Sequence, residues 1–430
     1  MFDGLTQEAV AARERELAAR FEALKEAGLA LDLTRGKPGP DQLALSDGLD
    51  DVLGGDYRLD DGTDVRNYGG LTGIPEARRL GAELLGVRPD EVIAGGNSSL
   101  ALMYEYVLHA WLNGPLGAET AWRREPGPLR FLCVVPGYDR HFRITESLGF
   151  ELVNVRIGDG GPDMDRIETL VAEDPCIKGI WCVPKYSNPT GHVYSDEVVE
   201  RFAQLGRRAG ANFRILWDNA YAVHDLDDDP PVLANLMDRC RTAGTEDSVV
   251  LFASTSKITR AGAGVAFLAA SSRNLAAFTK HLGVQTIGPD KVNQLRHVRF
   301  LRDTGGIRAL MRHQAAIVRP KFDLVRRHLE AGLGPDGLGT WTNPRGGYFL
   351  SFETPPGLAS RVVALAAEAG VKLTPAGATF PYGRDADDTN IRIAPTYPSR
   401  DEIDRAMPVF VNAVALAAAR RRLASRPVNV

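Results

Sequence analysis

Val249-Val250-Leu251-Phe252-Ala253-Ser254-Thr255-Ser256-Lys257 begins as an apolar run of strand length and ends in small hydroxyl residues and a lysine. Upstream, Ile215-Leu216-Trp217-Asp218-Asn219-Ala220-Tyr221 has the same form, with a carboxylate where its run stops. Short runs rich in β-branched and aromatic residues read as strands. Others lie at Val92 to Ala94, Leu129 to Val135, Gly179 to Val183, Phe213 to Trp217 and Val265 to Ala269, with helical stretches between them. Strands that alternate with helices predict an α/β fold with a mainly parallel, covered sheet.

Outward from this region the pattern changes. Residues 5 to 29 carry apolar positions at helical spacing, and Gly28 is the expected stop. The adjoining Thr34-Arg35-Gly36-Lys37-Pro38-Gly39-Pro40 must be loop, because Pro and Gly preclude regular pairing there. Helical patterns from 289 to 333 lead out of the α/β region, and strand candidates at Tyr348 to Phe352 and Asn390 to Ala394 belong to a smaller α+β domain. The expected division is an N-terminal segment, 1–55, that joins the small domain and lines the site, a large domain, 56–325, and a small domain, 326–430. Val409 to Ala419 is too short to span a bilayer and reads as a packed helix.

The composition allows this. With 430 residues, 44% hydrophobic and 25% charged, the chain can bury two unequal cores. Lys plus Arg 51 against Asp plus Glu 55 gives a formal −4, so no global positive field exists to gather nucleic acid or anionic lipid. Cys133, Cys176, Cys182 and Cys240 form no C-x-x-C pair and have no histidines at metal-ligand spacing. Buried free thiols in a reducing compartment are the expectation. The first 30 residues show no export pattern, and a cytoplasmic protein is expected.

In open α/β sheets ligands bind beyond the carboxyl ends of the strands, so the residues after each run carry the chemistry. Gly95-Gly96-Asn97-Ser98-Ser99 precedes a helical pattern, which makes a ready anion site or simply a capped turn. Pro136-Gly137-Tyr138-Asp139-Arg140-His141 comes after the second run, and Asn188-Pro189-Thr190-Gly191 closes a tight turn after the third. Asp218 directly after a buried strand is costly unless paired. Lys257, ordinarily a solvated surface charge, is delivered into the same crevice. One cofactor accounts for all of these. A pyridinium nitrogen needs a fixed anion, a phosphate needs amides and hydroxyls, a ring needs an aromatic to stack on, and an aldehyde needs an amine. Asp218, Ser98 with Ser99, Tyr138 and Lys257 supply these in turn, which points to pyridoxal 5′-phosphate (PLP).

These residues resemble the fold type I PLP-dependent aminotransferases over nearly the whole chain. Tyr68 with Gly73, the Asn188-Pro-Thr-Gly turn, Asp218-Asn-Ala-Tyr221, Ser254-x-x-Lys257 and a late strand bearing Arg392 carry the likeness. Leu33-Thr-Arg-Gly-Lys-Pro, Tyr68-Gly-Gly-Leu-Thr-Gly, Ser256-Lys-Ile-Thr-Arg-Ala-Gly-Ala-Gly and Gly288-Pro-Asp-Lys-Val-Asn-Gln-Leu-Arg-His narrow it to the bacterial type Ic aspartate aminotransferases. The resemblance implies a Schiff base on Lys257, Asp218 on the pyridinium nitrogen, and Asn188 and Tyr221 on the ring 3′-oxygen. It implies that His141 supports Asp218 and that Tyr138 stacks on the ring. Ser98, Ser99, Ser254 and, from a second subunit, Tyr68 match the phosphate contacts, so a homodimer with shared sites is expected. Arg392 matches the arginine on the substrate α-carboxylate, with Asn188 and Gly36 as further substrate contacts. The family's usual phosphate arginine falls in Ala261-Gly-Ala-Gly-Val265, which has none, and Arg260 is the nearby replacement.

The activity this implies is ping-pong transfer of an amino group from aspartate or another acidic amino acid to 2-oxoglutarate. Arg140, two residues beyond Tyr138, is the candidate for the distal carboxylate, with Lys37 second. A surface pair of Arg140 with Asp139 is the plainer reading. Alternative readings keep the fold but take 2-aminoadipate, kynurenine or aromatic amino acids, or use β-lyase chemistry. A non-catalytic PLP-sensing regulator would carry an N-terminal winged helix, and fewer than about 35 residues precede the Gly/Pro loop. Lys185 is the competing lysine for the cofactor.

Overall fold

A computed structural model of the chain describes residue 2 and residues 4–424. Its strands, in chain order, are β1 (Leu31–Asp32), β2 (Val92–Ala94), β3 (Arg130–Val135), β4 (Glu151–Gly158), β5 (Gly161–Pro162), β6 (Ile177–Cys182), β7 (Arg214–Asp218), β8 (Val249–Ser254), β9 (Ala266–Ala270), β10 (Thr340–Trp341), β11 (Leu350–Glu353), β12 (Val371–Lys372) and β13 (Asn390–Ile393). Eight of them form one sheet in the order β2-β9-β8-β7-β6-β3-β4-β5. The run from β8 to β4 is parallel throughout. Antiparallel pairing is confined to the two margins, where β9 lies between β2 and β8 and β5 turns back on β4.

The unbroken apolar runs result from burial on both faces. Along β8, Val249, Leu251 and Ala253 enter one core with Phe202 and Met237, while Val250 and Phe252 enter another with Tyr106 and Phe278. Period-two alternation is thus present but hidden, since both directions lead to helices. β4 has no counterpart among the strands expected from the sequence. It lies outside the fully buried centre, with Glu151, Asn154 and Arg156 exposed, so it offers no apolar run to find.

A separate core holds the small domain. The helix Gln7–Glu26 contributes Val10, Leu17 and Phe21, and packs on the helix Arg400–Ala424. β1 pairs with β12 in parallel, Leu31 opposite Val371, which fixes the N-terminal segment to this domain. β10, β11 and β13 form an antiparallel sheet beside it. The stretch Val409 to Ala419 is the packed helix expected, and its one amide, Asn412, donates to the Leu17 carbonyl at 3.2 Å. The border drawn at 325/326 falls inside the helix Thr304–Leu333. Its first half packs in the large core through Ile307 and Met311, its second half in the small core through Val325, Leu329 and Leu333. One continuous helix thus serves both domains.

Among the described residues, no helix is long and apolar enough to cross a membrane. All four cysteines are free thiols. Cys133, Cys182 and Cys240 are buried, and burial pushes each of these thiols up in pKa.

Candidate active site

Parallel strands deliver the residues at their carboxyl ends to one edge of the sheet. β7 ends on Asp218, which lies opposite Phe252 of β8, so the turn after β8 emerges beside the carboxylate. That turn is pinned through Thr255. Its amide donates to the Val265 carbonyl at 2.9 Å, its hydroxyl accepts from the Val265 amide at 2.8 Å, and its carbonyl accepts from the amides of Ile258 and Thr259. Lys257 therefore has a fixed origin, and its Nζ stands 5.0 Å from the centre of the Tyr221 ring.

Asp218 is buried and has a dedicated partner. His141 Nε2 lies 3.1 Å from its Oδ2, and the imidazole is stacked on Trp181 with ring centres 4.5 Å apart. The other oxygen, Oδ1, is buried with no hydrogen-bond partner among the described residues. Burial lowers the Lys257 pKa and the Asp218 charge opposes that shift. Burial, with Tyr138 and Asp218 nearby, raises Tyr221 well above the ordinary phenol value. Tyr138 is pushed up to about 12, again mainly by burial and then by Asp218.

Arg392 enters from β13, where Ile391 and Ile393 point into the small core and leave the guanidinium on the other face. It lies 4.8 Å over the Phe349 ring, and its Nη1 donates a long 3.4 Å hydrogen bond to Asn188 Oδ1. Its Nε is buried without a partner among the described residues. Burial lowers the guanidinium's pKa, with Asp139, Tyr221 and Tyr138 opposing. Gly36 approaches from the N-terminal segment so closely that a Cβ there would run into Phe349. Gly36, Ser99, Tyr138, Asn188, Asp218, Tyr221 and Lys257 line one cavity, closed by Leu100, Met103 and Phe349.

Beside it, the helix Ser99–Asn113 opens with Ser98 as N-cap, whose hydroxyl accepts from the Ala101 amide at 3.2 Å. The capping and anion-site readings coincide here, because the hydroxyl proton and the first amides stay free. Ser256 donates to the Asn97 carbonyl and Asn97 to the Gly262 carbonyl, joining this helix start to the lysine turn. Gly264 has to be glycine, since a Cβ would come within 2.8 Å of the Ser256 amide nitrogen. Ser254 is close by and accepts from that same amide.

Several predicted residues lie elsewhere. Arg260 does not turn into this cup. Asp50 holds its guanidinium by two hydrogen bonds, at 2.6 and 3.0 Å, and the Ser46 carbonyl takes a third. A carboxylate with matching geometry has claimed the cation the phosphate reading needed. Tyr68 is 84% exposed, away from its own chain's cavity. Arg140 is exposed, 3.7 Å from Asp139, and Lys37 rests 4.4 Å over the Tyr397 ring. Lys185 lies apart from that cavity, its amine held by Asp225 at 2.7 Å and the Ala222 carbonyl at 3.0 Å. Phe349 and Ser256 belong to the site although sequence reasoning does not single them out. Ser256 was legible as a hydroxyl beside the lysine, whereas Phe349 looks like any strand aromatic.

The fold and this constellation define an aminotransferase of fold type I. The family described as aspartate amino-transferase matches residues 5–426, and the chain belongs to it. An aspartate aminotransferase of Corynebacterium glutamicum is 45% identical over 401 residues, 93% of this chain and 92% of that protein. A Mycolicibacterium smegmatis protein bearing only an aminotransferase name is 49% identical over 420 residues, 97% and 98% of the two chains. A crystal structure of an aspartate transaminase from Corynebacterium glutamicum superposes with a TM-score of 0.93 at 43% identity, covering 98% of each chain. The protein is thus an enzyme rather than a regulator, and its cofactor is pyridoxal phosphate.

The residues present fit that cofactor. The partnerless Asp218 oxygen suits a protonated ring nitrogen, Lys257 suits the aldehyde, and the helix start with its serines suits the phosphate.

Proposed function

We propose that the protein transfers the α-amino group of aspartate, or of another acidic amino acid, to 2-oxoglutarate in two half-reactions at this one site. The observation that carries the reading is that Arg392, with a buried and partnerless Nε, lies against Asn188 and Phe349, two residues of the cavity that Lys257 and Asp218 also line. A carboxylate forked onto Arg392 brings the α-carbon of an amino acid between them. The aspartate name of the 45% identical relative supports the acidic substrate.

Pyridoxal phosphate, when bound, supplies an electron sink for the pair left at Cα when its proton departs. The chain's residues do the rest. Asp218 holds a negative charge against the ring nitrogen, and His141 keeps that carboxylate from turning away. Lys257 Nζ, drawn toward its neutral form by burial, takes the Cα proton and would deliver it to the cofactor carbon that keeps the amino group. Arg392 and Asn188 orient the substrate. Phe349 and Gly36 keep water from the cavity. Arg140 and Lys37, outside the cavity lining, are the cations proposed to meet a distal carboxylate. Tyr68, exposed near Val284 and Ile287, reaches the cavity of a second copy in a homodimer.

Two measurements test this. Borohydride treatment of the purified holoenzyme should fix the cofactor on Lys257, and a label found on Lys185 or any other lysine would overturn the assignment. Single amino acids mixed with the holoenzyme should discharge its visible absorbance fastest for aspartate and glutamate. Faster discharge by kynurenine, 2-aminoadipate or phenylalanine would reject the acidic substrate and leave amino transfer standing.

A further inference from the structure

The turn that carries Lys257 stops after one hydrogen-bonded step, so the carbonyls of Lys257 and Ile258 receive no backbone N–H among the described residues. Buried carbonyls require donors, and side chains provide them here. His224 Nε2 and the Tyr348 hydroxyl both donate to the Lys257 carbonyl, each at 3.2 Å. Gln314 Nε2 donates to the Ile258 carbonyl at 2.6 Å. Behind them stands Gln42. Its amide nitrogen donates to the Gln314 Oε1 at 2.9 Å and to the Tyr348 oxygen at 3.2 Å, while its Oε1 accepts from the Gly39 amide at 3.1 Å. All four side chains are at most 3% exposed.

The donors come from four different parts of the molecule. His224 comes after β7 in the large domain, and Gln314 lies on the helix shared by both domains. Tyr348 precedes β11 of the small domain and adjoins Phe349, while Gln42 sits on the N-terminal segment six residues after Gly36. Gly36 and Phe349 touch each other at the wall of the cavity. The groups that close the cavity are thus linked to the lysine's main chain by Gly39, Gln42 and Tyr348. Each link is a single hydrogen bond with no water-exposed alternative, so a shift of the segment must alter what the Lys257 carbonyl receives.

We propose that Gln42, Gln314 and Tyr348 are positioning residues for Lys257, aligning its amine for proton transfer when the N-terminal segment and small domain are seated against the substrate. This rests on Lys257 being the cofactor lysine. None of the three touches the amine or the substrate carboxylate; their effect is transmitted through the main chain at 257 and 258.

The test uses Gln42→Met and Tyr348→Phe in the holoenzyme, both nearly isosteric, with Asn412→Ala as control for loss of a buried hydrogen bond in the small domain. Each relay variant should lower kcat by about 10-fold with KM changed less than about threefold, the size expected when one buried hydrogen bond no longer holds a reacting group. The pH titration of the bound cofactor's visible absorbance should move from the wild-type midpoint. The double variant should lose little more than the worse single one, since both cut the same chain. Asn412→Ala should lower the melting temperature and leave kcat and the titration unchanged. Relay variants that melt lower but keep wild-type kcat and titration would overturn the proposal, as would fully additive losses. Should Gln42→Met not fold, Tyr348→Phe alone decides it by the same readouts. Borohydride mapping of the wild type separates the two failures. A label on another lysine removes the Lys257 reading itself, and a label on Lys257 with silent variants removes only the relay.

Discussion

Asp218, at one end of the cavity, and Arg140, outside its lining, are held differently. Asp218 leaves a strand buried on both faces, and its partner His141 is 1% exposed and stacked on Trp181. Arg140 stands one residue before that histidine on the same helix, yet its side chain is 52% exposed and its ion pair is with its neighbour Asp139. The first end has one geometry, fixed by sheet register and packing. Arg140 has no such packing to fix it. On the function proposed above, the type of reaction is written into the core, and the choice of amino acid into side chains that the core does not hold.

The largest effects should come from the buried end. Lys257→Ala removes the base that moves the Cα proton, a loss on the order of 10²- to 10⁴-fold in kcat, checked with glutamate and aspartate alike. Asp218→Asn should be nearly as damaging with the cofactor still bound. A variant with near wild-type turnover would show that another group supplies the anion. The same substitution has a pH signature. Asp218 raises the Lys257 pKa against the larger effect of burial, so removing its charge should lower that pKa further. In the apoprotein, the pH at which Lys257 becomes reactive toward reductive methylation should move down. A move upward would mean that the Asp218 charge does not stabilise the Lys257 ammonium.

Legibility in the sequence divides along the same line. β7 and β8 were legible because both faces of each are apolar, and Asp218 and Lys257 were legible because a charge directly after such a run demands a reason. β4 was hidden by its exposed Glu151 and Arg156, and the border between domains by a helix whose apolar stripe continues while the core it faces changes. Spacing identified Arg260 as a cation near the lysine but could not reveal Asp50, 210 residues away in sequence, as the partner that turns it from the cup. Gln42 and Gln314 carry no sequence signal at all. A glutamine becomes notable only when both ends of its amide are found satisfied inside a core.

Arg392 is intermediate in burial, with its guanidinium over the Phe349 ring and one long hydrogen bond to Asn188. Arg392→Lys should cut kcat/KM by about 10- to 100-fold for every amino acid, since an ammonium cannot reproduce the paired donors of a guanidinium. Loss confined to acidic substrates would move Arg392 to the side-chain end of the ligand and reverse the orientation proposed here.

The smallest effect is expected at Arg140, and it is the one that discriminates among substrates. Its exposed guanidinium is shared with Asp139, so a distal carboxylate has to compete with that neighbour and with water. The expected loss for Arg140→Ala is therefore about 10-fold in kcat/KM for aspartate, the lower end for a charge-assisted contact, and close to none for phenylalanine. An exposed contact is also screened. At physiological ionic strength the screening length is about 8 Å, and it shrinks to about 3 Å at 1 M salt. The wild-type advantage of aspartate over phenylalanine should then narrow as salt rises, while the variant's ratio stays flat. Measuring kcat/KM for both substrates across a salt series gives both results at once. Equal losses for aspartate and phenylalanine would place Arg140 in support of the cofactor. A salt-insensitive aspartate preference would shift the distal contact to a desolvated cation, and Lys37, resting on Tyr397 at the edge of the Gly36 loop, would be the next residue to replace.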